Sequence, residues 1–264
     1  MSLSIGTALR GGVGRVVSRT GAILLAIYVP AMALYQLSIN GLLGAVMARY
    51  LPANGPTTDV GVTYPAPTAV YAAVVLALVV GMAAFTVVAV RTFVAGATDR
   101  IPRAFYTRRL PWATANLLVG GLAFGLLVLL GSILLLLPGI VAYVGLIFTT
   151  MYVAVDDEHF VAALRHSWRL ARPEFVRVFV LVFVLVVGMG VVGGVLGFAL
   201  SLGTLLVGLD GWSGVATSVL VTPLSLLVLA VLSAAFAQLR DDEAPDAGET
   251  RPAADAPGTP STPG

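Results

Sequence analysis

The chain has 264 residues, 58% of them hydrophobic and only 11% charged, with a formal net charge of +2. An average soluble domain carries about 25% charged residues, so a soluble globular protein is excluded. There is no cysteine, which excludes disulfides, thiolate chemistry and cysteine metal sites, and no lysine, so all 15 basic residues are arginine.

Uncharged runs cover residues 20–48, 60–90, 110–155, 178–209 and 211–239. Each exceeds the roughly 20 residues that cross a hydrocarbon layer ~30 Å thick. The expected fold class is all-α: a polytopic integral membrane protein of six transmembrane helices, arranged as three hairpins with short interfacial amphipathic helices. The basic loops point to an anionic membrane surface rather than nucleic acid.

Residues 1–19 carry Arg10, Arg15 and Arg19 and no acid. Ile5, Leu9, Val13 and Val16 recur at helical spacing, which predicts a short helix in the membrane interface. Gly11, Gly12 and Gly14 oppose it, at up to about 1 kcal/mol each. These glycines do not form a phosphate loop, because no strand precedes them and the spacing of the third glycine fails.

The first span is expected over about 20–48, with a kink at Pro30. Ala31-Met32-Ala33 looks like a signal cleavage site, but the apolar run continues well past it, whereas the apolar core of a signal peptide has about 7–15 residues. A retained anchor is the expectation. Gln36, Ser38 and Asn40 are expected to hydrogen-bond to neighbouring helices. Residues 49–67, rich in Pro, Gly and Thr, read as an irregular loop. The second span covers about 68–95, with Arg91 near its end.

Residues 98–110 hold Arg100, Arg103, Arg108 and Arg109 against the single acid Asp99. Ile101, Phe105 and Tyr106 are expected on lipid while the arginines face phosphates. Pro102 suits a helix start, and Pro111 with Trp112 marks the entry to the next span.

Residues 110–155 form a run of 46 without a charge. As one helix it would be roughly 69 Å long at ~1.5 Å per residue, about twice a bilayer. It must fold back, and Pro138-Gly139 is the breaker near its middle. The expected spans are 112–137 and 140–155, with the hairpin turn at Pro138 and Gly139.

Asp156 and Asp157 end that run. An amphipathic helix is predicted over 157–172, with Phe160, Leu164, Trp168 and Ala171 on one face. Glu158, Ala162, Arg165, Arg169 and Arg172 occupy the others. Acids lie toward its N-terminus and arginines toward its C-terminus, as the helix dipole prefers, and Pro173 stops it. Arg165, Arg169 and Arg172, together with Arg103, Arg108 and Arg109, are candidate contacts to lipid phosphates. Trp168 is the expected interfacial anchor.

The fifth span covers about 175–202, where Gly190/Gly194 and Gly193/Gly197 form small-xxx-small pairs suited to helix packing. The sixth covers about 215–239. Residues 240–264 are polar, proline-rich and acidic, and are expected to be disordered.

Orientation follows from the arginines. Six crossings place 14 of the 15 on one side, Arg49 alone on the other. The segments flanking the run at 110–155 are both basic, so that run crosses an even number of times, in agreement with its length. Both termini are expected in the cytoplasm and the protein in the cell membrane. ALR recurs at 8–10 and 163–165, and basic segments lead three times into pairs of spans.

No ionisable residue lies in a span away from its ends, which argues against ion-coupled transport. Tyr143, Thr149, Thr150 and Tyr152 make the fourth span mildly polar, suited to packing first and to lining a cavity second. Asp156, Asp157, Glu158, His159 and His166 are the one titratable cluster. Their spacing matches no zinc or hydrolase motif, and capping with interfacial solvation accounts for them. No G-x-S-x-G, H-E-x-x-H or P-loop occurs. No catalytic, metal or cofactor-binding residue is expected.

One stretch carries a likeness to a known family. An apolar span ending at Leu137-Pro138-Gly139-Ile140 is followed by a further span and an acidic step. Ala163, Leu164, Ser167, Trp168 and Leu170 then lead into a hydrophobic helix. This arrangement resembles the membrane domain of glycerophosphoryl diester phosphodiesterases and related six-helix proteins over about 50 residues. The resemblance implies an all-helical membrane module, in some relatives fused to a soluble phosphodiesterase domain; these residues include no such domain. It supplies no functional residues.

The sequence thus predicts a non-enzymatic membrane module organising lipids or partner proteins at its cytoplasmic face. Expected partners are the bilayer, anionic lipids at that face, and other membrane proteins or further copies of the chain. A permease-like component for a small apolar or lipidic substrate is the alternative, and a membrane-embedded enzyme the third.

Overall fold

The computed structural model describes residues 3–50, 61–134 and 136–243. Among them are ten α-helices, a single 3-10 turn (Asp210–Trp212) and no strand. The helices are α1 (Ile5–Val16), α2 (Arg19–Tyr50), α3 (Thr68–Val94), α4 (Arg103–Thr107) and α5 (Leu110–Leu134). They continue with α6 (Leu136–Gly145), α7 (Thr149–Val155), α8 (Phe160–Ala171), α9 (Phe175–Val207) and α10 (Ser213–Glu243). Six stretches are long and apolar enough to cross a membrane: α2, α3, α5, α6 with α7, α9 and α10. The chain is an all-α, multi-pass membrane protein.

The long helices are apolar around their whole circumference, which in a chain of this size means that one side meets lipid. Leu122, Leu130 and Ile133 of α5 and Val176, Phe198 and Leu206 of α9 stand exposed in this way. Only a helix satisfies its backbone internally in hydrocarbon, so these runs have no other stable conformation there.

α10 is the hub, packing against α1, α2, α3 and α9. Its Val231, Ala235 and Phe236 meet Val87 and Val90 of α3 and Met151, Val153 and Ala154 of α7 in the main core. A smaller cluster joins Leu24, Ala89, Phe93, Leu226 and Ala230.

Side-chain contacts sort the helix termini into two ends. At one, Thr20 donates to Ala97 O, Arg91 bonds Asp157, Arg240 bonds Asp156, and Ser4 N donates to Gln238 Oε1. At the other, Ser218 donates to Gln36 Oε1, Asn40 Nδ2 donates to Val62 O, and Val62 N donates to Gly211 O. Of the three residues expected to bond neighbouring helices, only Gln36 does so, while Asn40 and Ser38 tie α2 to Val62 and Tyr64 of the segment before α3. The first end carries every arginine of the described residues except Arg49.

The structure corrects several sequence expectations. The α5–α6 fold-back is antiparallel, with Gly131 against Gly139 and Phe124 against Tyr143. Pro138 and Gly139 are helical, inside α6, and so are not the turn; residue 135, between α5 and α6, lies outside the described residues. Pro138 sits in the first turn of α6, where its missing N–H costs nothing. Gly139 serves packing instead: a Cβ there would run into Ser132.

α1 is not a solitary interfacial helix. Its Ala8 is buried, and Gly12 lies so close to Val231 of α10 that a Cβ would overlap it. The glycines that weaken α1 as a helix are what lets it dock.

α8 starts at Phe160 rather than 157, because Asp157 adopts φ 55° and interrupts the helix. Its buried face is Ala163, Ser167, Leu170 and Ala171, while Trp168 is 40% exposed. Of the glycine pairs, Gly193 and Gly197 pack on Val221 and Thr217 of α10, whereas nothing lies near Gly190 or Gly194. Those two glycines meet no neighbour among the described residues. α10 runs on through 240–243, which the sequence assigns to the tail; the remainder of the disorder expectation, 244–264, lies outside the described residues, as do residues 51–60 of the loop expected at 49–67.

Candidate functional site

The four residues between α7 and α8 tie that link to α3, α8, α10 and the start of α5. Asp156 takes Arg240 of α10 on both carboxylate oxygens, at 3.1 and 3.0 Å. Asp157 takes Arg91 of α3 at 2.5 Å and Arg108, just before α5, at 2.9 Å. Glu158 meets Nδ1 of His166 at 2.8 Å. His159 caps α8, its Nδ1 accepting from Val161 N, with its ring beside Trp112. The two histidines therefore do not converge, and among the described residues no group of three or more His, Cys, Asp or Glu could hold a metal ion.

Arg91 is the centre of this clasp. Its side chain is 3% exposed, and it donates to Ala154 O at 2.6 Å, Phe105 O at 2.8 Å and Arg108 O at 2.9 Å, besides Asp157. Arg108 Nη2 donates to Val155 O. The two guanidiniums thus satisfy the last carbonyls of α7, which have no partner within the helix and carry the negative end of its dipole. Arg240 lies over the rings of Tyr152 and Phe236, 5.9 and 5.3 Å from their centroids. These contacts add cation–π attraction to the Asp156 pair.

The sequence puts Arg91 near a span terminus and Asp157 among capping residues, and predicts neither their pairing nor their burial. Opposite charges 66 residues apart carry no local periodicity. The usable signal was a lone arginine at the end of an otherwise uncharged span.

A second arrangement joins α8 to the middle of the fourth span. The helix breaks between Gly145 and Thr149. Ser167 of α8 repairs the break: its hydroxyl donates to Gly145 O at 3.0 Å and accepts from Phe148 N at 3.1 Å. The ring of Trp168 presses on Gly145 where a Cβ would stand. Trp168 is therefore clamped against α6 as well as exposed.

This fixes the outward face of α8. Arg165, Arg169 and Arg172 are spaced four and three residues apart, which puts them on one helix face. All three are exposed, and their guanidiniums have no hydrogen-bond or ion-pair partner among the described residues. Arg103 and Arg109 are likewise exposed and unpartnered, with Arg109 held at φ 43°. Arg108 is exposed too, its side chain at 56%, but it is partnered, pairing with Asp157 in the clasp. Arg15, in α1, has Nη1 buried without a partner, and burial holds its guanidinium pKa below the ordinary value.

Beside the break, α5, α6, α7 and α10 enclose a cleft of about 190 Å³ that brings together Asn116, Tyr143, Thr149 and Thr150. Three of the four polar residues of the fourth span gather here, whereas the Tyr152 ring lies against His166 and Phe236.

No curated protein and no solved structure matches the chain. Residues 3–239 match the family described as "Domain of unknown function (DUF7847)". That match takes in α1 to α9, most of α10, and Arg91, Arg108, Asp156 and Asp157 of the clasp, with Arg240 just beyond it, and the chain belongs to this family.

Proposed function

We propose that this protein is a non-enzymatic membrane module that gathers anionic lipids, or acidic partner proteins, at its arginine-bearing face. The carrying observation is the row Arg165, Arg169 and Arg172 on α8, exposed and free of partners among the described residues. Arginines left unpaired beside a membrane find lipid phosphates, each worth about 1 kcal/mol near an anionic surface. The rest of α8 is built for rigidity, with Ser167 and Trp168 locked to the fourth span. On this reading the arginine-bearing face is cytoplasmic, both termini lie on that side, and the membrane is the cell membrane.

The test is the lipid retained by the purified full chain, from a mixed bilayer of phosphatidylglycerol and phosphatidylcholine, counted by headgroup. Replacing Arg165, Arg169 and Arg172 together by Gln is expected to halve the retained phosphatidylglycerol or more, with thermal stability unchanged. Equal retention by the variant contradicts the proposal.

The permease-like alternative has the lateral cleft in its favour. Against it, α5 and α6 close tightly beyond the cleft, where Gly131 and Gly139 are in contact.

A further inference from the structure

The cleft between α5, α6, α7 and α10 has features that a gap in helix packing does not explain. It holds about 190 Å³ and is mostly apolar, with Gly121, Phe124 and Leu146 in its wall. An apolar cavity of about 150 Å³ accepts one benzene ring, so this one accommodates a ring or short chain segment rather than a whole phospholipid. Three hydroxyl-bearing residues line it: Thr149 donates to Leu146 O, while the hydroxyls of Tyr143 and Thr150 have no hydrogen-bond partner among the described residues. Thr150 stands about 8 Å from the end of α7, and Phe124 about 21 Å into α5, at ~1.5 Å per residue. At that depth no bulk water satisfies a hydroxyl, and an unpaired one is costly.

The break in the fourth span supplies a separate observation. Non-helical backbone at membrane depth survives only where protein buries it or where it lines a cavity. Here Leu146 and Ile147 at the break line the cleft on one side, and Ser167 holds the break from the other. Broken spans of this kind elsewhere place polar groups against a ligand within the bilayer.

We infer that the cleft binds a single lipid-soluble carbonyl compound of about one ring's bulk, entering sideways from the bilayer past Gly121. The apolar wall takes the ring by burial, and the Tyr143 and Thr150 hydroxyls donate to its carbonyl oxygens. A pure hydrocarbon fills the same space but leaves both hydroxyls unpaired, which weakens it relative to the carbonyl compound. This site is independent of the arginine face.

The test uses the full chain in nanodiscs, with decyl-1,4-benzoquinone as probe and decylbenzene as control. A ligand that binds the folded state raises the unfolding temperature saturably. The quinone is expected to give a saturable rise and decylbenzene a smaller one. Tyr143→Phe and Thr150→Val should each weaken the quinone by about two- to tenfold, the worth of one neutral hydrogen bond, without changing the response to decylbenzene. Gly121→Leu should abolish the quinone response, and because nothing lies within 4 Å of a Cβ at Gly121 the fold tolerates it. Equal responses to both probes, no response, or a Gly121→Leu variant that behaves as the parent each overturn the inference. The triple Arg165, Arg169 and Arg172 variant should retain the quinone response, so failure of the lipid proposal leaves this result readable.

Discussion

Arg91 of α3 and Asp157 of the α7–α8 link meet at 2.5 Å with side chains only 3% and 10% exposed. This pair fastens three elements at once, since Arg91 also holds carbonyls of α4, of Arg108 and of α7. A buried pair is weak evidence for net stability, but removing one member strands the other. Arg91→Met should therefore cost about 3–5 kcal/mol. Asp157→Asn should cost less, because the amide oxygen still accepts and Asn tolerates positive φ. Reversible unfolding in mixed micelles measures both; an Arg91→Met variant as stable as the parent contradicts the clasp.

Ser167 offers a sharper local probe. Its hydroxyl is the partner of both Gly145 O and Phe148 N across the helix break. Ser167→Ala leaves a buried donor and a buried acceptor unsatisfied, at about 1–3 kcal/mol. Amide exchange at Phe148 should accelerate while exchange in α2 and α3 stays as before. Unchanged exchange at Phe148 would show that the break is held by other means.

The glycines of α9 differ by the face they occupy. Gly197→Leu must overpack against Thr217, which costs about 1–3 kcal/mol. Gly190→Leu and Gly194→Leu enter open space and should lie within about 0.5 kcal/mol of the parent. If the two positions prove as sensitive as Gly197, they pack against something outside the chain.

Topology is directly accessible because the chain has no cysteine. Thr63→Cys and Arg172→Cys lie at opposite ends of the bundle. With the arginine-bearing end cytoplasmic, a membrane-impermeant thiol reagent labels position 63 in intact cells and position 172 only after permeabilisation. The reverse pattern inverts the proposed orientation.

Much of the architecture is legible from residue chemistry alone. Span number follows from uncharged run lengths, and the fold-back within 110–155 follows from a helix too long for a bilayer. The turn itself was misplaced, because Pro138-Gly139 satisfies a turn and a first helical turn equally well. The buried face of α8 lies one position from the predicted one, because Ser167 is fully buried at the break while Trp168, though pressed on Gly145, stays 40% exposed. The clasp was invisible because long-range ion pairs leave no periodicity. The Tyr143–Thr150 cleft was half visible, as polar residues in a span whose convergence with Asn116 needs the fold.

The central claim is that Arg165, Arg169 and Arg172 hold anionic lipid. Its most direct measurement is the affinity of fluorescent phosphatidylglycerol for the reconstituted full chain as salt rises from 0.05 to 0.5 M, roughly the range over which the Debye length falls from about 14 Å to 4 Å. The parent should lose affinity steeply, and the triple Gln variant should start weaker and respond little. Identical affinities and salt slopes for the two would contradict the account.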